Sequence, residues 1–199
     1  MIFNEKVLKK LMKTAYQGAG LLVANKEGRY ILEGGWWRIS MSEWVFSKKG
    51  KSAVVELIGQ IPQAGESFRC TAGGNQMELP ELEDLDEIIN ELNFNDIYNK
   101  TEVMIEHNGV LIRILQNEKR DICCINELIV DLLTGKAEPG EGEYVDGAVL
   151  RGDCLYWASD ECSLEVGKID ITPNVEEAKN IPKVRLLKNL GADLLPVVK

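Results

Sequence analysis

The densest set of side chains that could do chemistry is a run of carboxylates in the segment ELPELEDLDEIINELNFND, residues 78–96. The run contains no lysine or arginine, and its acids are Glu78, Glu81, Glu83, Asp84, Asp86, Glu87, Glu91 and Asp96. Acids near a helix start are stabilised by the helix dipole, so one interpretation is a solvated helix face. An exposed helix usually carries bases four residues from its acids, and their absence favours a second interpretation, a charged surface for a basic partner.

Three of the four tryptophans lie in the segment GGWWRISMSEW, residues 34–44. In an extended strand, Trp36 and Trp37 point to opposite faces, so one is expected in the core and the other at a solvent, ligand or partner surface. Trp44 follows where a helical turn could begin, and Arg38 could add a cation–π or carboxylate contact. An exposed tryptophan here would be an interface anchor, because such residues contribute disproportionately to binding.

Catalytic patterns are absent from the sequence. The only histidine, His107, flanks a turn, and no G-x-S-x-G segment accompanies it, which disfavours triad chemistry. Phosphate-binding glycine patterns and calcium loops do not occur. A catalytic pair of carboxylates stays open, although the spacing selects no particular two. Five cysteines without C-x-x-C spacing indicate reduced thiols in a core. We therefore expect no cofactor and no metal. Whether the protein is an enzyme stays open, and the sequence favours a protein without catalytic activity.

The charge balance bounds the partners. With 32 acids against 23 bases, the net charge is −9, which opposes direct binding to nucleic acid or to anionic membranes. A basic protein, for instance one that itself handles nucleic acid, is the expected partner. The N-terminal segment lacks an apolar signal-peptide core, and no long apolar run follows, so a cytoplasmic location is expected.

Hydrophobic periodicity predicts the elements that position these groups. Asn4 is expected to cap a basic amphipathic helix, followed by a hairpin around KEG and a third strand in WWRISMS. AVVELIG, SFRCT and QMEL are predicted as further strands, and Pro80 is predicted to open the acidic helix.

The second half is predicted to begin again with a hairpin. TEVMIEH and VLIRILQ flank Asn108-Gly109, a two-residue turn that needs positive φ. DICCI is expected as a strand, Asn126 as the cap of a helix in ELIVDLL, and Gly135 as its end. The Arg-Gly-Asp turn at 151–153 separates two strands, LEVGKIDI gives another, and Thr172 with Pro173 is expected to start a final helix.

These elements predict an α+β fold, with mostly antiparallel strands and hairpins and with helices at segment ends. Two related halves are expected at 1–98 and 99–199, packed either as separate units or as one. A pattern P-x-x-G-E followed by an aromatic residue recurs at 62–68 and 139–144. The predicted AVVELIG strand has no counterpart in the second half, and this argues against a true duplication.

Three functions remain open. The leading one is a non-enzymatic interaction protein, of the inhibitor or immunity type, that presents an acidic, nucleic-acid-mimicking surface to a basic partner. Its expected binding residues are Glu83, Asp84, Asp86, Glu87, Glu91, Trp36, Trp37 and Arg38.

The second function is a small-ligand module or an enzyme with a site between the halves. Trp36, Arg38, Tyr156 and Trp157 would then line the pocket, with Glu66 and Glu143 at its rim. The third is a structural or assembly subunit in which an exposed aromatic side chain forms a homodimer contact.

Overall fold

The fold is described from a computed structural model, which covers residues 3–74, 76–78, 85–133, 147–170 and 193–194. Four helices lie in this part of the chain: α1 (Glu5–Gln17), α2 (Lys48–Ile58), α3 (Leu85–Asn90) and α4 (Glu127–Leu133). None of these four has the length and the hydrophobicity that a bilayer-spanning helix requires. The predicted helix after Thr172 lies outside the described residues.

The described strands form one antiparallel sheet. In chain order they are β1 (Leu21–Lys26), β2 (Arg29–Glu33), β3 (Trp37–Ser42), β4 (Ser67–Cys70), β5 (Gln76–Glu78), β6 (Ile97–His107), β7 (Val110–Gln116), β8 (Ile122–Asn126), β9 (Ala148–Arg151), β10 (Cys154–Ser159) and β11 (Cys162–Gly167). Their spatial order is β5-β4-β1-β2-β3-β11-β10-β9-β6-β7-β8. The predicted α+β class is thereby confirmed.

Two hairpins have the predicted tight turns. Glu27 and Gly28 join β1 to β2 with φ of 50° and 82°, and Asn108 and Gly109 join β6 to β7 with φ of 51° and 75°. Positive φ at both central residues matches the twist of the flanking strands, which explains glycine at the second position.

Helix α1 follows the predicted amphipathic pattern. Its first turn is capped by Asn4, whose Oδ1 accepts from the Lys6 backbone N–H at 3.2 Å. One face buries Leu8, Leu11 and Met12 against the sheet, since α1 contacts β1 and β2. The lysines of the opposite face stay exposed.

The prediction of a strand at AVVELIG is wrong, because these residues form most of α2. Ser47 caps this helix by accepting from the Gly50 N–H at 3.0 Å, and Gly59 ends it at φ 86°. Ala53 and Val54 are buried while Val55 is exposed, which is helical rather than alternating burial. The strongly β-branched composition concealed that helical pattern.

Because AVVELIG lies in a helix, the described elements of the two halves follow a similar order, and their common origin stays a prediction. The first half now runs β1-β2-β3-α2-β4-β5, with β4 returning to pair with β1. The second runs β6-β7-β8-α4-β9-β10, with β9 returning to pair with β6. The recurring P-x-x-G-E segments follow α2 and α4 in these two orders. Because β6 begins at Ile97, the expected boundary at 98 falls inside a strand.

The halves share one core. A single cluster on the helix-covered face of the sheet includes Met12 and Trp37 from the first half and Leu155, Ile125 and Leu164 from the second. Strand β3 also pairs with β11 along five residues, from Trp37↔Val166 to Met41↔Cys162. The apolar cluster and the β3–β11 pairing therefore both connect residues of the first half with residues of the second.

Candidate functional site

The loop between β2 and β3 sets the orientation of the paired tryptophans. The Gly34 N–H donates to the Trp37 carbonyl at 2.9 Å, and the Gly167 N–H donates to the Trp36 carbonyl at 2.9 Å. Trp37 is only 3% exposed, whereas Trp36 is 36% exposed. The two side chains thus separate into core and surface as predicted, and Trp37 has little surface left for a partner.

The other exposed tryptophan lies elsewhere. Trp44 is 67% exposed and follows the far end of β3. A strand advances about 3.3 Å per residue, so the Trp36 and Trp44 backbones lie roughly 20 Å apart or more. They do not form a single aromatic patch.

Charged side chains line up beside Trp36 on the sheet face opposite α1, here called the outer face. The register places Glu33 beside Arg38 and Arg38 beside Glu165, on three adjacent strands. Arg38 Nε donates to Glu33 Oε2 at 3.0 Å, and its Nη1 lies 3.5 Å from Glu165 Oε2. Arg69 Nη2 donates to the other oxygen of Glu33 at 2.5 Å. We call these four side chains the outer ion network.

Glu165 has one carboxylate oxygen that accepts no hydrogen bond from the described residues. Its Oε1 accepts from the Tyr156 hydroxyl at 3.3 Å. Its Oε2 is shielded from solvent and accepts no hydrogen bond from the described residues. Arg38 lies close enough to form an ion pair with this oxygen, but the two groups are not oriented for a hydrogen bond. Burial, followed by the charge of Glu165, raises the pKa of Tyr156 well above its usual value. Burial and the same carboxylate raise the pKa of the Cys154 thiol.

A cleft opens over this network at the junction of the two halves. Its volume is about 320 Å³. It is lined by Glu33, Gly34, Gly35, Trp36, Trp37, Arg38, Cys154, Glu165 and Gly167. The cleft combines an exposed indole, a backbone rich in glycine and an ion network, and such a combination can bind a polar group.

Helix α3 is fixed to the outer face next to the cleft. Leu85 and Ile89 pack against Tyr156 in a small apolar cluster. Asp86 accepts from the Ser163 hydroxyl at 2.7 Å and forms an ion pair with Arg29 Nε at 2.8 Å. Asp86 therefore attaches the helix to β2 and β11.

Three acids of the carboxylate run form ion pairs with basic residues from other parts of the chain. Asp86, Glu91 and Asp96 form ion pairs with Arg29, Arg151 and Lys119, at 2.8, 3.1 and 3.1 Å. The interpretation that the run lacks basic partners is thus corrected for these three acids, because the partners come from strands and turns distant in sequence. Glu87 and Glu91 are exposed. Glu83 and Asp84 lie outside the described residues.

The residues expected to form a ligand pocket are only partly brought together. Trp36 and Arg38 line the cleft. Tyr156 does not line it, but its hydroxyl donates to Glu165, which does. Trp157 points into the core on the other face. Glu66 is exposed, and its carboxylate accepts from the Gln63 N–H at 2.7 Å within its own turn. Glu143 lies outside the described residues.

Sequence reasoning missed Glu33, Arg69, Cys154 and Glu165. Charged residues inside apolar strands, as in RYILE and SLEVG, were the available signal. Their alternation indicates an outward direction, but only the strand register shows that they are neighbours.

The opposite side of the molecule is rich in lysine. A cleft of about 430 Å³ between α1 and α2 is lined in part by Lys6, Lys9, Lys48 and Lys49. Lys9 pairs with Glu56 at 2.6 Å, and Lys49 pairs with Glu5 at 3.3 Å. Hydrogen bonding from Ser47 is the main cause that lowers the pKa of Glu5. The side of the sheet that α1 and α2 cover therefore presents exposed lysines, and two of them form ion pairs.

His107 and the buried thiols Cys123 and Cys162 lie outside the cleft beside Trp36. The ring of His107 faces the amide of Asn108 at 3.2 Å at the hairpin end. Burial raises the pKa of Cys123 to about 11 and that of Cys162 to about 12. A neutral thiol is a poor nucleophile. Within the described ranges, no three His, Cys, Asp or Glu side chains are grouped as metal ligands.

Comparison with known proteins gave structural likeness alone. No protein-family model and no curated protein sequence matches the chain. The crystal structure of the DNA polymerase III beta chain from Streptococcus pneumoniae aligns at 10% identity and a TM-score of 0.34, covering 90% of this chain and 67% of that one. A DNA polymerase III subunit beta sliding clamp from Bartonella birtlesii aligns at 9% identity and a TM-score of 0.32, with 88% and 66% covered. Because both TM-scores are low, no inference about this chain rests on them.

Proposed function

We propose that the protein is a non-enzymatic interaction protein that binds a basic partner through its outer face. The observation that carries this proposal is the exposed Trp36, which backbone hydrogen bonds hold beside the cleft and the outer ion network. The exposed carboxylates of Glu87, on α3, and Glu91, in the turn directly after it, stand at the same face. An inhibitor or immunity-type factor with a nucleic-acid-mimicking surface would have these features.

Trp36 is suited to be the anchor of such an interface. Tryptophan is enriched among residues whose truncation costs about 2 kcal/mol or more in binding free energy. Its large ring buries much apolar area and loses little conformational entropy. A backbone fixed on both sides by hydrogen bonds reduces the ordering cost further.

The acids would contribute mainly to the association rate. A net charge of −9 attracts a positively charged surface. This attraction extends about one Debye length, roughly 8 Å at physiological salt. Since Arg151 already offsets part of the charge of Glu91, Glu87 is the better acidic contact on α3.

The test compares two exposed tryptophans. Tagged wild type, Trp36→Ala and Trp44→Ala are used to capture partners from host extract, and the captured protein is identified, purified and titrated against each variant. We expect Trp36→Ala to weaken binding about 30-fold, the equivalent of about 2 kcal/mol, and Trp44→Ala to leave it unchanged. Equal affinity of wild type and Trp36→Ala would overturn the proposal.

A ligand-binding module is the second candidate, and it is supported by the cleft, which residues 33–38 line together with Cys154, Glu165 and Gly167. Its volume of about 320 Å³ falls at the lower end of the range for small-molecule sites. A homodimer through Trp36 is the third candidate. Light scattering of wild type and Trp36→Ala at two concentrations separates it, since only a dimer through this residue dissociates in the variant.

A further inference from the structure

We propose that the cleft beside Trp36 binds the guanidinium group of an arginine side chain on the basic partner. The inference rests on the proposed function and names the group recognised at that site. Three features carry it: an incompletely satisfied carboxylate, an aromatic platform, and an ion network whose other members are already paired.

The acceptor is Glu165. An ionised carboxylate can accept about four hydrogen bonds. The described residues give this one the Tyr156 hydroxyl at 3.3 Å and the Cys154 thiol as donors, and they leave its Oε2 without a hydrogen bond. The side chain is 18% exposed and lines the cleft. Its shielded Oε2 lies 3.5 Å from Arg38 Nη1 and accepts no hydrogen bond from the described residues, so this oxygen has acceptor capacity that the proposal assigns to the guanidinium.

The remaining charges of the cleft are already compensated. Both oxygens of Glu33 accept from arginine, one from Arg38 and one from Arg69. Glu33 therefore offers little further capacity for a ligand, and Glu165 is the acidic group with capacity left. The two acids and two bases of the outer ion network have formal charges that cancel. A bound cation would therefore be a fifth charge beside a balanced network.

The platform is the indole of Trp36. A guanidinium stacks on an aromatic face and is less strongly hydrated than an ammonium group, so it loses less on leaving water. Its fork of N–H donors also matches a carboxylate better than the three donors of lysine. The cleft volume of about 320 Å³ accommodates a guanidinium together with part of its stem.

The test uses small probes on the whole protein, followed by the indole N–H signals in two-dimensional NMR. The probes are Nα-acetyl-arginine amide, its neutral citrulline counterpart, its lysine counterpart and Nα-acetyl-glutamate amide. We expect the arginine probe to shift the Trp36 indole signal with a Kd on the order of 1–10 mM, a value typical of one anchoring side chain. The citrulline and glutamate probes should leave it in place, and the lysine probe should bind at least threefold more weakly.

Two variants locate the site. Trp36→Ala and Glu165→Gln should each lower the affinity for the arginine probe at least fivefold, measured by the NMR signals of the other residues that line the cleft. Trp44→Ala should leave this affinity unchanged. Glu165→Gln keeps the size of the side chain and an acceptor for Tyr156, and an unchanged thermal midpoint shows that it folds. Equal binding of arginine and citrulline probes, stronger binding of the glutamate probe, or unchanged binding to Glu165→Gln overturns the inference.

The two proposals can fail separately. If the arginine probe binds but Trp36→Ala retains full affinity for the captured partner, the proposed function fails and the arginine site stands as a small-ligand site. If Trp36→Ala loses the partner while the arginine probe leaves the indole signal unchanged, the interface stands and the arginine site is overturned.

Discussion

At the scale of single residues, Gly34 determines where Trp37 lies. A Cβ at Gly34 would lie 2.4 Å from Trp37 Nε1 and 2.6 Å from its Cε2, atoms of a buried ring that cannot move easily. We expect Gly34→Ala to lower the free energy of unfolding by about 1–3 kcal/mol, the usual cost of overpacking, measured by urea denaturation. Gly35→Ala is the matched control, because its nearest atom would be Ala19 Cβ at 3.9 Å. An equal effect of the two substitutions would contradict the steric account.

Buried thiols give the protein a pH dependence of stability. Burial raises the pKa of Cys162 from near 9 to about 12, so its thiol stays protonated in the native protein where the unfolded chain ionises. The native state then binds more protons than the unfolded state above pH 9, and stability falls as the pH rises toward the native value.

We therefore expect the free energy of unfolding to decline between pH 9 and pH 11. Urea denaturation at each pH measures this decline. Cys162→Ala should be less stable at pH 8 because it leaves a small cavity, and it should show a shallower decline. A decline of unchanged slope in this variant would assign the effect to other groups, such as Tyr98, whose pKa burial raises to about 12.

The sequence predicted the separation of Trp36 from Trp37 but not the outer ion network. Alternation within one strand depends on local backbone geometry, which a short segment contains. The contact of Glu33 with Arg69 joins residues from β2 and β4, and that of Arg38 with Glu165 joins β3 to β11. Such pairs depend on strand order and register, which local patterns do not specify.

At the scale of elements, α2 shows how composition misleads. AVVELIG is apolar and β-branched, as buried strands are, so the pattern favoured a strand. The signals for a helix lay outside the segment: Ser47 as the cap and Gly59 in the left-handed region at its end. The helix bounded by Asn126 was predicted correctly because its cap stands directly beside the apolar run, and Asn126 Oδ1 accepts from Leu128 N at 3.0 Å.

Helix α3 offers a test of how the outer face is held. Asp86→Asn removes the charge that pairs with Arg29 and weakens the acceptor for Ser163. Because the Asp86 side chain is about one-third exposed, we expect a loss of only about 1 kcal/mol in stability, together with faster amide exchange in α3. Glu87→Gln, an exposed position on the same helix, should alter neither. If exchange in α3 is the same in both variants, Asp86 does not hold the helix.

At the scale of the whole molecule, the sheet separates two kinds of surface. Helices α1 and α2 carry exposed lysines on one side, and the other side carries α3 and Trp36. The net charge of −9 describes the whole chain and does not say on which face each charge lies. Side chains alternate between the two faces of each strand, and α1 covers one of these faces. This arrangement determines which charged side chains lie on the outer face.

The shared core predicts how the molecule unfolds. The two halves have the same order of strands around α2 and α4, but one buried cluster crosses both of them, and β3 pairs with β11 along their junction. Separating the halves would expose the edges of these two strands and the apolar side chains beneath them, Trp37 and Leu164 among them. The free energy that each half gains from its own contacts would then be opposed by a large new apolar surface.

We accordingly expect a single unfolding transition for the full chain, with coincident midpoints by circular dichroism and by tryptophan fluorescence. A fragment of residues 1–96, cut before β6, should show no cooperative transition on its own and should aggregate through the exposed edge of β3. Two resolved transitions, or a cooperative and monomeric fragment, would show that the halves are independent domains despite their common core. In that case the cleft beside Trp36 would lie at a movable junction, and the affinity of its ligand would depend on how often the halves dock.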